Sequence, residues 1–211
     1  MSNFKSKLKQ MKMPILLFCC ILLVQSSYSQ IIKISNGFSI TNLKTKKFDA
    51  LGTSISSYWG SIGIEYLDKK RFYMSSDIGY MRIGGKEINK NLPPTDSAYN
   101  VHQSFNYGQL STTFRVRSII NNIEYYLGAG PYLNILLGSG NFENNIYQDY
   151  KLKKSNFGCK TEIGLTANIK KIRVGLNGAY FINMSSLAKS QYNSFTYKAF
   201  VGALSVGYRF N

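Results

Sequence analysis

The sequence predicts an all-β protein, an eight-stranded antiparallel up-and-down transmembrane β-barrel. Eight segments of the 211-residue chain alternate apolar with small or polar residues, the two-residue period of a strand with one face in a greasy environment. The connections between them alternate between long and short. Charged residues inside the segments gather on the face opposite the apolar one.

Composition agrees with strands: Tyr (16) and Phe (13) are abundant and Pro (4) is scarce. Before the first strand, residues 1–13 carry Lys5, Lys7, Lys9 and Lys12 without an acid. PILLFCCILLV then runs from Pro14 to Val24, and small residues Ser27 and Ser29 follow. That order is expected of a secretory signal peptide, residues 1–29, cut to leave Gln30 and a barrel domain at 30–211. The apolar run is too short for a spanning helix, which needs about 20 residues. Phe18 before Cys19 and Cys20 is too bulky for the usual lipoprotein cleavage site. Removing four lysines lowers the formal charge from +16 to +12 (16 − 4). Only Cys159 then remains, so neither a disulfide framework nor a cysteine zinc site is expected.

The strands are expected at 31–41, 54–66, 72–83, 104–117, 123–136, 157–169, 172–183 and 195–210. Most are ten residues or longer, suited to tilted strands crossing a bilayer. Long polar connections are expected at 42–53, 84–103, 137–156 and 184–194, with PPTDS at 93–97 marking a loop tip. Short ones are expected at 67–71 (LDKKR), 118–122 (SIINN) and 170–171 (two lysines). Long exterior loops and short periplasmic turns are the layout of outer-membrane barrels, and an even strand number puts both termini on the periplasmic side.

One face of the strands carries aliphatic residues bordered by aromatics: Tyr58 to Tyr66, Phe72 to Tyr80, Phe157 to Ile169 and Ile172 to Ile182 at alternate positions. The pattern fits a lipid-facing band with aromatic girdles. The other face carries Lys33, Glu65, Asp77, Arg115, Arg117, Glu124, Lys160, Glu162, Arg173 and Arg209. These are expected to pair across a polar lumen, with Gly37, Gly63, Gly128, Gly130, Gly164, Gly175 and Gly207 leaving room. A soluble lipocalin-like barrel would invert the two faces. Aromatics at strand ends, the alternating loops and a last strand running to the terminus favour the membrane arrangement. Pro131 lacks an N–H and is expected at a bulge or rim.

In the closing strand, Leu204, Val206, Tyr208 and Phe210 share the apolar face, with Asn211 one residue beyond the last aromatic. On this pattern the chain from Gln30 to Asn211 resembles the small outer-membrane barrels of Gram-negative bacteria, the OmpA-type domain and the PorT-like proteins. The resemblance implies that the closing strand is read by the barrel assembly machinery. It also implies residence in the cell outer membrane among lipids that include lipopolysaccharide.

Eight strands enclose a lumen that side chains fill, so a general porin is not expected. The expected function is non-enzymatic: a structural, adhesive or ligand-binding scaffold whose basic loops, with Lys44, Lys46, Lys47, Lys86, Lys90, Lys151, Lys153 and Lys154, suit polyanions. The alternative, implied by the PorT-like resemblance, is an accessory component of a secretion or envelope-assembly apparatus with envelope protein partners. A lipid A-modifying enzyme would need a site such as His102 with Ser104, but no acid occurs between Ser104 and Ile123 to orient the histidine. No catalytic, cofactor, metal or nucleic-acid site is expected.

Overall fold

The computed structural model describes residues 31–45, 51–88, 100–138, 142, 149–190 and 193–210. The expected signal peptide, Gln30, the PPTDS tip and Asn211 lie outside them. Eight long strands are present: β1 (Ile31–Thr45), β2 (Ile55–Tyr66), β3 (Phe72–Ile88), β4 (Asn100–Ile120), β5 (Ile123–Leu136), β7 (Ser155–Ile169), β8 (Ile172–Asn183) and β10 (Ser194–Arg209). Each pairs antiparallel with its neighbour in the chain, and β1 pairs with β10 to close the ring. The two-residue strands β6 (Lys151–Leu152) and β9 (Ala188–Lys189) pair with each other, and β9 pairs with the start of β10.

The register defines the stagger of the ring. Moving from strand to strand, Lys33 pairs with Gly63, then come Asp77, Ser111, Tyr132, Gly158 and Asn183. Ile182 faces Lys198, which puts Asn183 level with Tyr197, and Tyr197 pairs with Leu43. The path returns to β1 ten residues above its start (43 − 33), a stagger that tilts the strands by about 40° to the barrel axis.

Pairing extends further than the apolar pattern predicts. Ile88 still faces Asn100, so both ends of the segment expected as loop 84–103 form a projecting hairpin. Backbone bonds between Thr53 and Lys86, 3.0 Å in both directions, tie the first long loop to its wall. At the opposite end the connection expected at 118–122 contracts to Asn121 and Asn122, with φ of 49° and 68°. Two consecutive positive φ values are the geometry of a tight type I′ hairpin turn, which Asn tolerates better than most residues. Ser118, Ile119 and Ile120 therefore stay in β4.

Pro131 occupies neither a bulge nor a rim. It lies within β5 opposite Cys159, and the β4–β5 register is the same on both sides of it. The missing N–H is met by a local gap in the β4 ladder, at Thr112 and Thr113, instead of by an inserted residue.

The outside of the ring is apolar. Ile62, Ile78, Leu127 and Leu204 are each more than 60 % exposed. Tyr66, Phe72, Tyr125 and Tyr208 mark the belt's edge within three residues of the short turns or the last strand's end, and Phe38, Tyr58, Phe157 and Phe200 mark the other. Closing-strand residues Leu204, Val206, Tyr208 and Phe210 all face outward, as the alternation requires.

Candidate functional site: the filled lumen

The lumen is the most chemically distinctive part of the molecule, and it has two layers. Toward the short turns lies an ion-pair network. Lys33 Nζ is 3.0 Å from Asp77 Oδ1 and 3.8 Å from Glu65 Oε1. Arg115 bridges Glu65 (2.8 Å) and Glu162, while Lys160 Nζ contacts Glu162 Oε2 at 2.9 Å and Asp77 Oδ2 at 4.0 Å. Arg173 pairs with Glu65 Oε2 at 3.1 Å and with Glu124, and Arg117 pairs with Glu124 Oε2 at 3.2 Å and with Asp68.

Lys33, Arg115, Arg117, Lys160 and Arg173 thus face Glu65, Asp68, Asp77, Glu124 and Glu162, five cations against five anions. Taking charges out of water costs several kcal/mol per ion unless partners and hydrogen bonds replace the hydration, and here each has at least one close opposite charge. Neutral groups add to the set: Thr113 Oγ1 donates to Glu162 at 2.6 Å, and Arg173 donates to the Tyr73 hydroxyl and to Thr166 Oγ1 at 3.1 and 3.0 Å. The Tyr73 ring is met by the guanidinium groups of Arg115, Arg117 and Arg173 at 5.1–5.6 Å, and the Tyr126 ring by Arg115 at 4.5 Å. Inward glycines make room for these groups. A Cβ on Gly164 would collide with the Tyr126 ring, and one on Gly63 with the Asp77 carboxylate.

Nine of the ten charges expected in the lumen therefore join one network. Arg209 is the exception: half-buried at the end of β10, it forms no ion pair among the described residues, and its Nε has no hydrogen-bond partner. Its position at the mouth, where β10 ends, explains this. Asp68 takes the place that pattern reading missed, because it sits in the β2–β3 turn and no strand alternation points to it. The available signal was its position as the one acid beside three bases in the turn.

Above the network the expectation of a polar lumen fails. A row of neutral hydrogen bonds comes first: Trp59 Nε1 donates to Gln109 (3.3 Å), Gln109 to Asn134 (3.1 Å), Asn134 to Asn156 (3.2 Å), and the Tyr197 hydroxyl to that of Tyr132 (2.8 Å). Toward the long loops the interior is apolar, built from Leu43, Met81, Ile83, Phe105, Phe181 and Phe195. Phe142, Tyr150 and Leu187 from the connecting segments pack onto it, with Phe142 5.1 Å from Phe105 and Tyr150 4.7 Å from Phe195 between ring centroids. Both faces of a strand are apolar here, so alternation no longer distinguishes inside from outside. The long-loop end is closed by packing, and the short-turn half is filled by charge.

Other candidate groups stay apart from chemistry. His102 and Ser104 share the outer face of β4, and their cross-strand partners are Lys86 and Gly84. Cys159 is a free thiol on the outer wall. No group of three His, Cys, Asp or Glu that could hold a metal occurs among the described residues.

No protein-family model and no curated protein matches the chain. Among solved structures it is similar to the outer membrane protein OprG from Pseudomonas aeruginosa, with a TM-score of 0.57 at 12 % identity over 88 % of this chain and 97 % of that one. It is also similar to Neisserial surface protein A, with a TM-score of 0.53 at 14 % identity over 87 % of this chain and 99 % of that one. Such identities speak to fold and not to the PorT-like resemblance in particular. The chain has the fold of the small eight-stranded outer-membrane β-barrels.

Proposed function

We propose that the protein is a non-enzymatic barrel of the outer membrane whose wall and filled lumen form a rigid scaffold, and whose long loops supply its contacts. One observation carries this reading: a ring of strands with an apolar belt outside and ten mutually paired charges inside. A belt of that size is stable in hydrocarbon and a liability in water. The packed lumen leaves the loop end as the part that meets other molecules, with both termini and the short turns in the periplasm.

The finer reading is a polyanion-binding, adhesive or ligand-binding surface on the loops. Of the eight loop lysines, Lys44, Lys151, Lys153 and Lys154 are exposed and Lys86 is half-buried, whereas Lys46, Lys47 and Lys90 lie outside the described residues. Lipopolysaccharide phosphates are the polyanions that such lysines would meet first, and the closing strand suits recognition by the assembly machinery. An accessory role in secretion, drawn from the PorT-like resemblance, would use the same scaffold and predicts envelope proteins that co-purify.

Fractionation of intact cells with surface protease treatment tests the scaffold reading. The expected result is recovery in the outer-membrane fraction, cleavage confined to the long loops, and faster electrophoretic migration before heating than after. Recovery in the soluble periplasm with unchanged migration would refute it. Binding to anionic glycans that survives exchange of the eight lysines for Gln would remove the polyanion reading while leaving the scaffold.

A further inference from the structure

The excess positive charge is not spread evenly, because the lumen network is internally neutral. At the short-turn end, Lys69, Lys70 and Arg71 in the β2–β3 turn and Lys170 and Lys171 in the β7–β8 turn are all exposed. None makes an ion pair among the described residues. The one acid in these turns, Asp68, is held inward by Arg117.

The backbone of this rim is pinned so that the cations face outward. Arg117 Nη2 donates to the Lys69 carbonyl at 2.6 Å and the Arg117 backbone N–H to that of Arg71 at 2.8 Å. On the other turn, the Arg209 N–H donates to the Lys171 carbonyl at 2.9 Å. Immediately above these turns lies the lower aromatic edge, with Phe72 against Phe114 and Tyr208 against Phe210 at 5.5 and 5.3 Å. Together the two turns span an arc from β7 through β8, β10, β1 and β2 to β3, and the remaining β4–β5 turn carries no charge.

The geometry points to this arc as a surface that recognises anionic phospholipids in the leaflet around the short turns. Aromatic rings at a membrane interface sit at headgroup level, so ammonium and guanidinium groups one step beyond them reach lipid phosphates. A charged surface attracts each nearby Lys or Arg, and with Asp68 neutralised by Arg117 no free carboxylate in these two turns opposes that attraction. This inference rests on the membrane reading above.

The test uses the full barrel in vesicles of phosphatidylcholine containing trace spin-labelled phosphatidylglycerol or spin-labelled phosphatidylcholine, and compares how strongly each lipid associates with the wall. The protein is expected to prefer phosphatidylglycerol by on the order of fivefold. Exchanging Lys69, Lys70, Arg71, Lys170 and Lys171 for Gln is expected to remove most of that preference, and exchanging Lys44, Lys86, Lys151, Lys153 and Lys154 little of it. Variants of one turn alone, K69Q/K70Q/R71Q and K170Q/K171Q, should each lose part, so the comparison holds even if the fivefold variant fails to fold. Inorganic phosphate should displace the lipid no better than chloride at equal ionic strength. An unchanged preference in the short-turn variants, loss confined to the long-loop variant, or displacement by free phosphate would overturn the inference. Failure of the unaltered protein to insert at all would instead refute the membrane reading, and unheated electrophoretic migration separates the two.

Discussion

Glu162→Gln is expected to destabilise the barrel by about 3–5 kcal/mol, the cost of breaking a buried ion pair from one side. Glu162 accepts from Arg115 Nε and Thr113 Oγ1 on one oxygen and lies 2.9 Å from Lys160 on the other. Its loss leaves five cations facing four anions in a space closed above by aromatic packing. The double substitution of Arg115 and Glu162 by Met restores the balance at four against four and is expected to cost less than the sum of R115M and E162M made singly, by about 0.5–3 kcal/mol. Urea unfolding in detergent micelles, followed by the shift in unheated migration, measures both. Additive effects would mean that the charges act independently and that no network exists.

Ile163→Arg carries the second large effect and probes the other surface. Ile163 is 60 % exposed on β7, midway between the two aromatic edges, and faces away from the network. In a bilayer an arginine there costs about 2–4 kcal/mol near the midplane. On the outside of a water-soluble barrel the same change would fall within about 0.5 kcal/mol. Reversible unfolding of the reconstituted protein distinguishes the two, and the size of the cost separates an outer face bathed in hydrocarbon from one bathed in water.

Much of this architecture was legible in the sequence because one physical rule operates along most of each strand. Where Lys160 and Glu162 alternate with Thr161 and Ile163, only one face tolerates charge, and the direction of every neighbouring side chain follows. The rule weakens where its premise fails. In the long-loop half, Phe181 and Tyr197 point inward while Ile182 and Phe200 point outward, so greasy residues occupy both sides and the apolar layer cannot be told from the belt by periodicity. Asp68 and Arg209 show the same limit at strand ends, where contacts depend on how a turn folds back. Asp68 closes onto Arg117, and Arg209 remains at the mouth.

Pro131 was misplaced for a different reason. A missing N–H forbids one ladder hydrogen bond, and strand rules commonly resolve that with a bulge. Here the register survives intact, and the gap is absorbed opposite Thr112 and Thr113. Hairpin length was likewise hidden: the projecting part of β3 and β4 carries Gly84, Gly85, Lys86 and Gln103, which read as loop, and its pairing is supported by the first loop bonding to Lys86.

The central claim, hydrocarbon outside and paired charge within, is tested most directly by spin labels in proteoliposomes. Labels would be placed at Ile163→Cys, Leu204→Cys and Lys70→Cys in a Cys159→Ser background. The account predicts that labels at 163 and 204 collide with dissolved oxygen and are shielded from a water-soluble nickel chelate, while the label at 70 shows the reverse. Ready nickel access at 163 and 204 would contradict it.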